Sequence, residues 1–256
     1  MSAIPFSEGN VLVCRVAVAP VSRAASYTSE MTSQLLYGET CLVTGPLARK
    51  WYPVRCTYDG YEGFVLKSQV DPAPDFRKPT SVFYSSWVNG WLEENGEKTW
   101  LPVGAIVNDI MGGKFRGEIL EAGELSFKAE NIQKMAALYL NVPYLWGGKS
   151  SFGIDCSGFT QMVYRLLNIP LPRDAWQQAE KGETVGFLQE ARTGDLAFFD
   201  DEEGKIIHTG ILLNEHEIIH SAGNVHIDPI DHAGIIDARN GERTHRLRII
   251  KRMLPV

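Results

Sequence analysis

The chain has 256 residues, 44% of them hydrophobic and 22% charged, with a formal net charge of −6. Those are ordinary values for a globular protein large enough for more than one core. The acidic balance gives no reason to expect nucleic acid or an anionic membrane as partner, and no apolar run reaches the ~20 residues of a membrane-spanning helix.

The N-terminal half predicts β-structure. Val11 to Pro20 is the nearest thing to a signal sequence, but Arg15 interrupts it and its branched residues suit a strand. The sequence therefore predicts no signal peptide. Short branched or aromatic runs (Val11 to Val18, Thr40 to Val43, Trp51 to Arg55, Gly63 to Leu66) alternate with turn clusters such as Tyr58-Asp59-Gly60. Asp71-Pro72-Ala73-Pro74-Asp75, with Pro79 beyond, reads as a linker. A second β-block carries Trp87, Trp91, Leu92 and Trp100 to Gly104. The pattern predicts two small barrels or sandwiches, at 1–72 and 78–126.

From 129 onward the character changes. Ala129 to Leu140 places Ile132, Met135, Ala136 and Tyr139 at helical spacing. In a second helix Phe159, Met162, Val163, Leu166 and Leu167 form one apolar face, with Asp155 as N-cap. Asp174 and Gln177 form a capping box for a short third helix. Strands are predicted at Asp195 to Phe199, Ile206 to Leu213, Glu217 to Ala222 and Arg246 to Met253. Helices followed by an antiparallel sheet give an α+β domain over 129–256.

Cys156 falls in the first turn of the second helix, where unpaired N–H groups and the helix dipole favour a thiolate, the nucleophilic form. The other cysteines, Cys14, Cys41 and Cys56, show no metal-knuckle or redox spacing. They predict free thiols and a reducing, cytoplasmic setting. A base comes from the strands: a hairpin turning about Asn214 sets His208 opposite His220 within one residue of register. One imidazole then orients the other beside the thiol. His216-Glu217-Ile218-Ile219-His220 also matches a zinc-hydrolase pattern, but that pattern needs a helix. In a strand the two histidines would stand ~13 Å apart. Gly148-Lys149-Ser150 lacks the first glycine of a phosphate loop, since Pro143 holds its place.

Asp155-Cys156-Ser157-Gly158-Phe159, Pro143 to Gly148, Pro172-Arg173-Asp174 with Gln177, Gly194 to Phe199 and the His208 strand together resemble the NlpC-type papain-like cysteine peptidases. The resemblance implies Cys156 as nucleophile, His208 as base and His220 as the orienting residue, with no metal or cofactor. The front half, with Ser29 to Gln34, Gly38-Glu39 and Tyr61 to Val65, is similar to the bacterial SH3-like domains of one branch, the γ-D-glutamyl-L-diamino acid endopeptidases of murein recycling. Phe64 stands where tryptophan is more usual. That similarity implies a murein tri- or tetrapeptide substrate with a free N-terminal L-alanine. Its ammonium would be held by Glu30, Tyr61 and Asp155, with Glu39 the alternative to Glu30. Tyr144 and Trp146 would wall the pocket, with the tyrosine hydroxyl as donor, and Ser157 completes the substrate-binding set. Arg173 meets either a substrate carboxylate or a surface partner. Two other readings stay open at this point: an acyltransferase or amidase on the same scaffold, and a non-catalytic wall-binding SH3-like protein.

Overall fold

The structure, a computed structural model, describes residues 6–73, 82–86, 90–107 and 113–253. Trp87 and most of the expected linker, including Pro74, Asp75 and Pro79, lie outside them. The chain divides into two compact units, 1–122 with 146–150, and 123–145 with 151–256.

In the first unit, β1 (Val11–Cys14), β2 (Val18–Ser22), β3 (Met31–Leu36), β4 (Thr40–Val43), β5 (Trp51–Cys56), β6 (Glu62–Leu66) and β7 (Val70–Pro72) form one antiparallel sheet, in the order β3-β2-β6-β5-β4-β1-β7. The single strand expected over Val11 to Val18 is broken in two, and Met31–Leu36 adds a strand that the sequence pattern did not suggest. Alternation turns Leu12, Cys14, Ala19, Val21, Leu35, Cys41, Val43, Tyr52, Val54 and Val65 into a common core. Cys14, Cys41 and Cys56 are thiols within that core, and burial pushes Cys14 and Cys41 up to about 12.

The second β-block comprises β8 (Phe83–Ser85), β9 (Trp91–Glu94), β10 (Glu97–Trp100), β11 (Lys114–Arg116) and β12 (Ile119–Glu121), as a three-stranded and a two-stranded sheet. Asn95-Gly96 joins β9 to β10 with φ of 52° and 82°, the twist a two-residue hairpin needs. Tyr37 packs with Leu92, Leu101 and Ala105. Gly38, at φ 80°, lies so close to Ile106 that a Cβ would fall 2.5 Å from its carbonyl oxygen. The segment carrying β13 (Lys149–Ser150) also belongs to this unit. Lys149 is buried with its ammonium 3.2 Å from Glu39, whose other oxygen accepts the Leu36 N–H. Unlike a phosphate-loop lysine, it is a buried ion-pair partner.

The second unit contains α1 (Ala129–Ala137), β14 (Gly153–Ile154), α2 (Cys156–Leu166), α3 (Ala175–Ala179) and β15 (Glu183–Val185). Then come β16 (Leu196–Asp200), β17 (Ile206–Leu212), β18 (Glu217–Ala222), β19 (Asn224–Asp231), β20 (Gly234–Ile236) and β21 (Arg243–Arg252). The antiparallel order β15-β21-β16-β17-β18-β19-β20 closes on itself because β20 also pairs with β21. Phe199, Leu212, Ile218, Ile230, Ile235 and Ile250 pack together as its core, while α2 packs against β17 and β18. Sequence patterning expected four of these strands; β15, β19 and β20 are short or polar on alternate positions and were not foreseen.

Candidate active site

The cysteine helix starts where capping predicts. Asp155 is extended, at φ −91° and ψ 177°, and its Oδ1 accepts the Gly158 N–H at 2.7 Å. Cys156 is the first helical residue. The same Asp155 carboxylate receives both arms of the Arg173 guanidinium, at 3.0 and 2.6 Å, and Arg173 also donates to Ser157 Oγ at 2.9 Å. Arg173 is 1% exposed, so it is neither a surface partner nor directed at solvent for a substrate carboxylate. A guanidinium in so dry a place requires its charge to be matched, and Asp155 matches it. Ser157 likewise serves this network: its carbonyl accepts from Gln178, whose side-chain oxygen accepts from Thr160.

His208 and His220 lie on neighbouring strands, but the register is Gly210↔His220, two residues from the direct pairing of His208 with His220 expected from the turn. The error preserves the face because side chains alternate with period two. The rings therefore meet diagonally, His208 Nε2 lying 2.9 Å from His220 Nδ1. Gly210 makes room for this approach: a Cβ there would fall 2.8 Å from His220 Cβ and from Ile218 Cδ1.

Beyond His220 stands Asp228, which sequence reasoning missed. Its Oδ2 lies 3.1 Å from His220 Nε2, and Oδ1 accepts the Ala238 N–H at 3.0 Å. The clue was a second hairpin about Gly223, which pairs His220 with His226 and brings Asp228, two residues on, to the same face. His226 also reaches Asp228 Oδ2, at 3.1 Å. His245, on β21, stacks on His208 with ring centroids 4.1 Å apart and planes at 24°.

These contacts determine the tautomers. A carboxylate only accepts, so His220 Nε2 carries the proton and its Nδ1 holds a lone pair. That lone pair accepts from His208 Nε2–H, which leaves His208 Nδ1 as the basic atom. Burial keeps both rings neutral: it drives His208 well below the ordinary imidazole range, helped by His245, His220 and His226, and lowers His220 against the opposing pull of Asp228. Asp228, raised by burial but lowered further by His220, the Ala238 N–H and His226, sits at about 2 and is ionised.

Cys156 departs from expectation. Burial pushes its thiol up to about 12, and the Asp155 charge pushes the same way. The Thr209 and Ser157 N–H groups and Arg173 act against them. Burial and the Asp155 charge thus oppose the ionisation that the helix N-terminus favours. Tyr144 is also raised to about 12, first by burial and then by Cys156 and Asp155, so its phenol stays a donor beside the thiol.

His216 is exposed at the turn and His220 lies within a strand, so the zinc-hydrolase pattern does not form a site. The remaining expected residues lie in the first unit. Glu30 accepts the Trp146 indole N–H at 2.8 Å and pairs with Arg23 at 3.0 Å. Tyr61 packs half-buried against the first core, and Glu39 is committed to Lys149.

Residues 141–243 match the family model "NlpC/P60 family", and residues 21–70 match "Bacterial dipeptidyl-peptidase Sh3 domain". A γ-D-glutamyl-L-lysine dipeptidyl-peptidase of Bacillus subtilis (strain 168) is 33% identical over 213 residues, covering 74% of this chain and 71% of that one. The chain belongs to the NlpC/P60 family. It is a cysteine peptidase, a cell-wall peptide hydrolase with a bacterial SH3-like domain ahead of its NlpC/P60 domain. Dipeptidyl-peptidase 6 of Lysinibacillus sphaericus is 25% identical, covering 79% of this chain and 85% of that one. The fold is also that of an NlpC/P60 family protein from Bacillus cereus ATCC 10987, with a TM-score of 0.81 over 96% of this chain and 100% of that one, at 19% identity. Among the described residues no helix is long and apolar enough to cross a membrane.

Proposed function

We propose that this NlpC/P60 peptidase hydrolyses the bond between γ-D-glutamate and an L-diamino acid in short murein peptides with a free N-terminal L-alanine. The observation that carries the chemistry is the hydrogen-bonded line Asp228–His220–His208, which leaves His208 Nδ1 as the basic nitrogen that this reading assigns to the Cys156 proton. The similarity to a γ-D-glutamyl-L-lysine dipeptidyl-peptidase of Bacillus subtilis supports the choice of bond.

In this mechanism the Cys156 sulfur attacks the γ-carbonyl carbon as its proton passes to His208 Nδ1. Coupling the two movements avoids forming an isolated thiolate, which burial disfavours. The carbonyl oxygen becomes an oxyanion, received by the Cys156 backbone N–H and the Tyr144 phenol. His208 Nδ1–H then protonates the departing amine as the C–N bond breaks. Water, deprotonated by His208, hydrolyses the thioester and restores the thiol.

Glu30 and Tyr61, with Asp155, are assigned to the substrate ammonium on the resemblance of their motifs, and Trp146 to the pocket wall. The three thiols Cys14, Cys41 and Cys56 support a reducing compartment and hence cytoplasmic recycling.

The deciding experiment incubates the protein with L-Ala-γ-D-Glu-meso-diaminopimelate and its L-lysine counterpart, free and N-acetylated, alongside Cys156→Ala, with products followed by mass spectrometry. The proposal expects release of the L-Ala-γ-D-Glu dipeptide from free peptides only. Activity surviving in Cys156→Ala overturns the thiol mechanism, and equal cleavage of the acetylated peptides overturns the ammonium assignment alone.

A further inference from the structure

His226 takes no part in the line from Asp228 to His208, yet its Nε2 and His220 Nε2 converge on the same Asp228 oxygen, each at 3.1 Å. The three atoms lie within 4.8 Å of one another. Two imidazole nitrogens and a carboxylate oxygen are a donor set suited to a divalent transition ion. Ligand bonds of ~2.0–2.1 Å to Zn2+ place neighbouring tetrahedral ligands roughly 3.3 Å apart, near the two 3.1 Å separations from the Asp228 oxygen. The outer contacts also match those of a ligand set. His226 Nδ1 donates to the Asn224 carbonyl at 2.9 Å and Nε2 faces the Asp228 carboxylate, so Nε2 gives up any proton when it binds a metal, while the second Asp228 oxygen accepts the Ala238 N–H. The His226 side chain is 20% exposed, against 1% for His220 and 4% for Asp228, so an ion would enter past His226.

We propose that His220 Nε2, His226 Nε2 and Asp228 Oδ2 bind a divalent transition-metal ion, Zn2+ best fitting the donors, and that the bound ion switches the peptidase off by reversing the tautomers of its histidine pair. The reversal follows from counting protons. Metal on His220 Nε2 requires a lone pair there, so the ring proton moves to Nδ1. His220 Nδ1–H now donates to His208 Nε2, which must accept, and the His208 proton moves to Nδ1. Each of these two imidazoles still carries one proton, any proton on His226 Nε2 leaves to solvent, and no bond is made or broken besides those to hydrogen and the metal. His208 then presents N–H to the Cys156 thiol instead of a lone pair and cannot accept its proton. The inhibitory consequence rests on the proposed role of His208; the binding site does not.

The test titrates chelator-stripped full-length protein with Zn2+, measuring binding by calorimetry, tripeptide cleavage, and the 15N signals of the histidine rings. The expected result is one ion per chain, loss of cleavage with the same midpoint, and a His208 signal that changes from the Nε2–H to the Nδ1–H form. His226→Gln should remain an active peptidase while its zinc dissociation constant and inhibition midpoint both rise at least ~10-fold. Cys156→Ser should bind zinc as the wild type does. The proposal is overturned if no stoichiometric binding occurs, if His226→Gln is inhibited at the wild-type zinc concentration, or if Cys156→Ser loses the site, since zinc would then act on the thiol. Should the stripped wild type fail to cleave the tripeptide at all, the substrate reading fails, while calorimetry and the nitrogen signals still decide the metal site.

Discussion

Asp155→Ala should destabilise the second unit far more than loss of a helix cap alone. The substitution removes the acceptor of the Gly158 N–H and both contacts to Arg173, at 3.0 and 2.6 Å. A lost cap costs about 1 kcal/mol. The larger effect comes from removing the carboxylate that receives both arms of a guanidinium 1% exposed, a change worth about 3–5 kcal/mol. Because one carboxylate makes both interactions, the two figures overlap, and about 3–5 kcal/mol is the expected total. At roughly 2–4 °C per kcal/mol for a folding unit of this size, Tm should fall by about 6–20 °C. Asp155→Asn, which keeps an acceptor but no charge, should lie between. The double variant Asp155→Ala/Arg173→Met supplies the diagnostic result: with the buried guanidinium removed as well, it should recover at least half of the loss. Calorimetric melts of the four proteins at one pH make the measurement. A single variant within about 1 kcal/mol of wild type, or a double variant no better than the single, would refute the view that Asp155 is committed to Arg173.

Alkylation of Cys156 by iodoacetamide should accelerate about tenfold per pH unit between pH 7 and 10 without a plateau, since below a pKa near 12 each unit raises the thiolate fraction tenfold. A rate already level at neutral pH would mean a resting ion pair. Gly210→Ala should cost about 1–3 kcal/mol from overpacking and lower kcat by about 10²-fold, because the new Cβ meets His220 Cβ at 2.8 Å. Wild-type kcat in that variant would show that the His220 position is not critical. Asp228→Asn should reduce kcat by about 10²–10⁴-fold with little change in KM, since its amide no longer enforces a proton on His220 Nε2; a loss below threefold would remove Asp228 from the line.

Much of the site was legible in the chain because its signals are local. Asp155 as cap and Cys156 at the head of an apolar helical stripe need only the 3.6-residue period. The shared face of His208 and His220 needs only the two-residue period, which is why a register error of two left it intact. What remained hidden depends on contacts that sequence distance does not encode. Arg173 reads as a partner for a substrate carboxylate or for a surface group until the fold buries it on Asp155. Asp228 is one of many acidic residues until a second hairpin brings it under His220, and His245 comes from the far strand β21 to stack on His208.

The acid–base environment divides in the same way. By itself the sequence placed Cys156 at a helix start and His208 and His220 on one sheet face, since helix and strand periodicity place side chains on faces. Only the tertiary structure shows what opposes their ionisation. Position at a helix N-terminus argues for a thiolate, but enclosure by the surrounding unit removes the water that would solvate it, and desolvation outweighs the N–H groups and Arg173 that favour the anion.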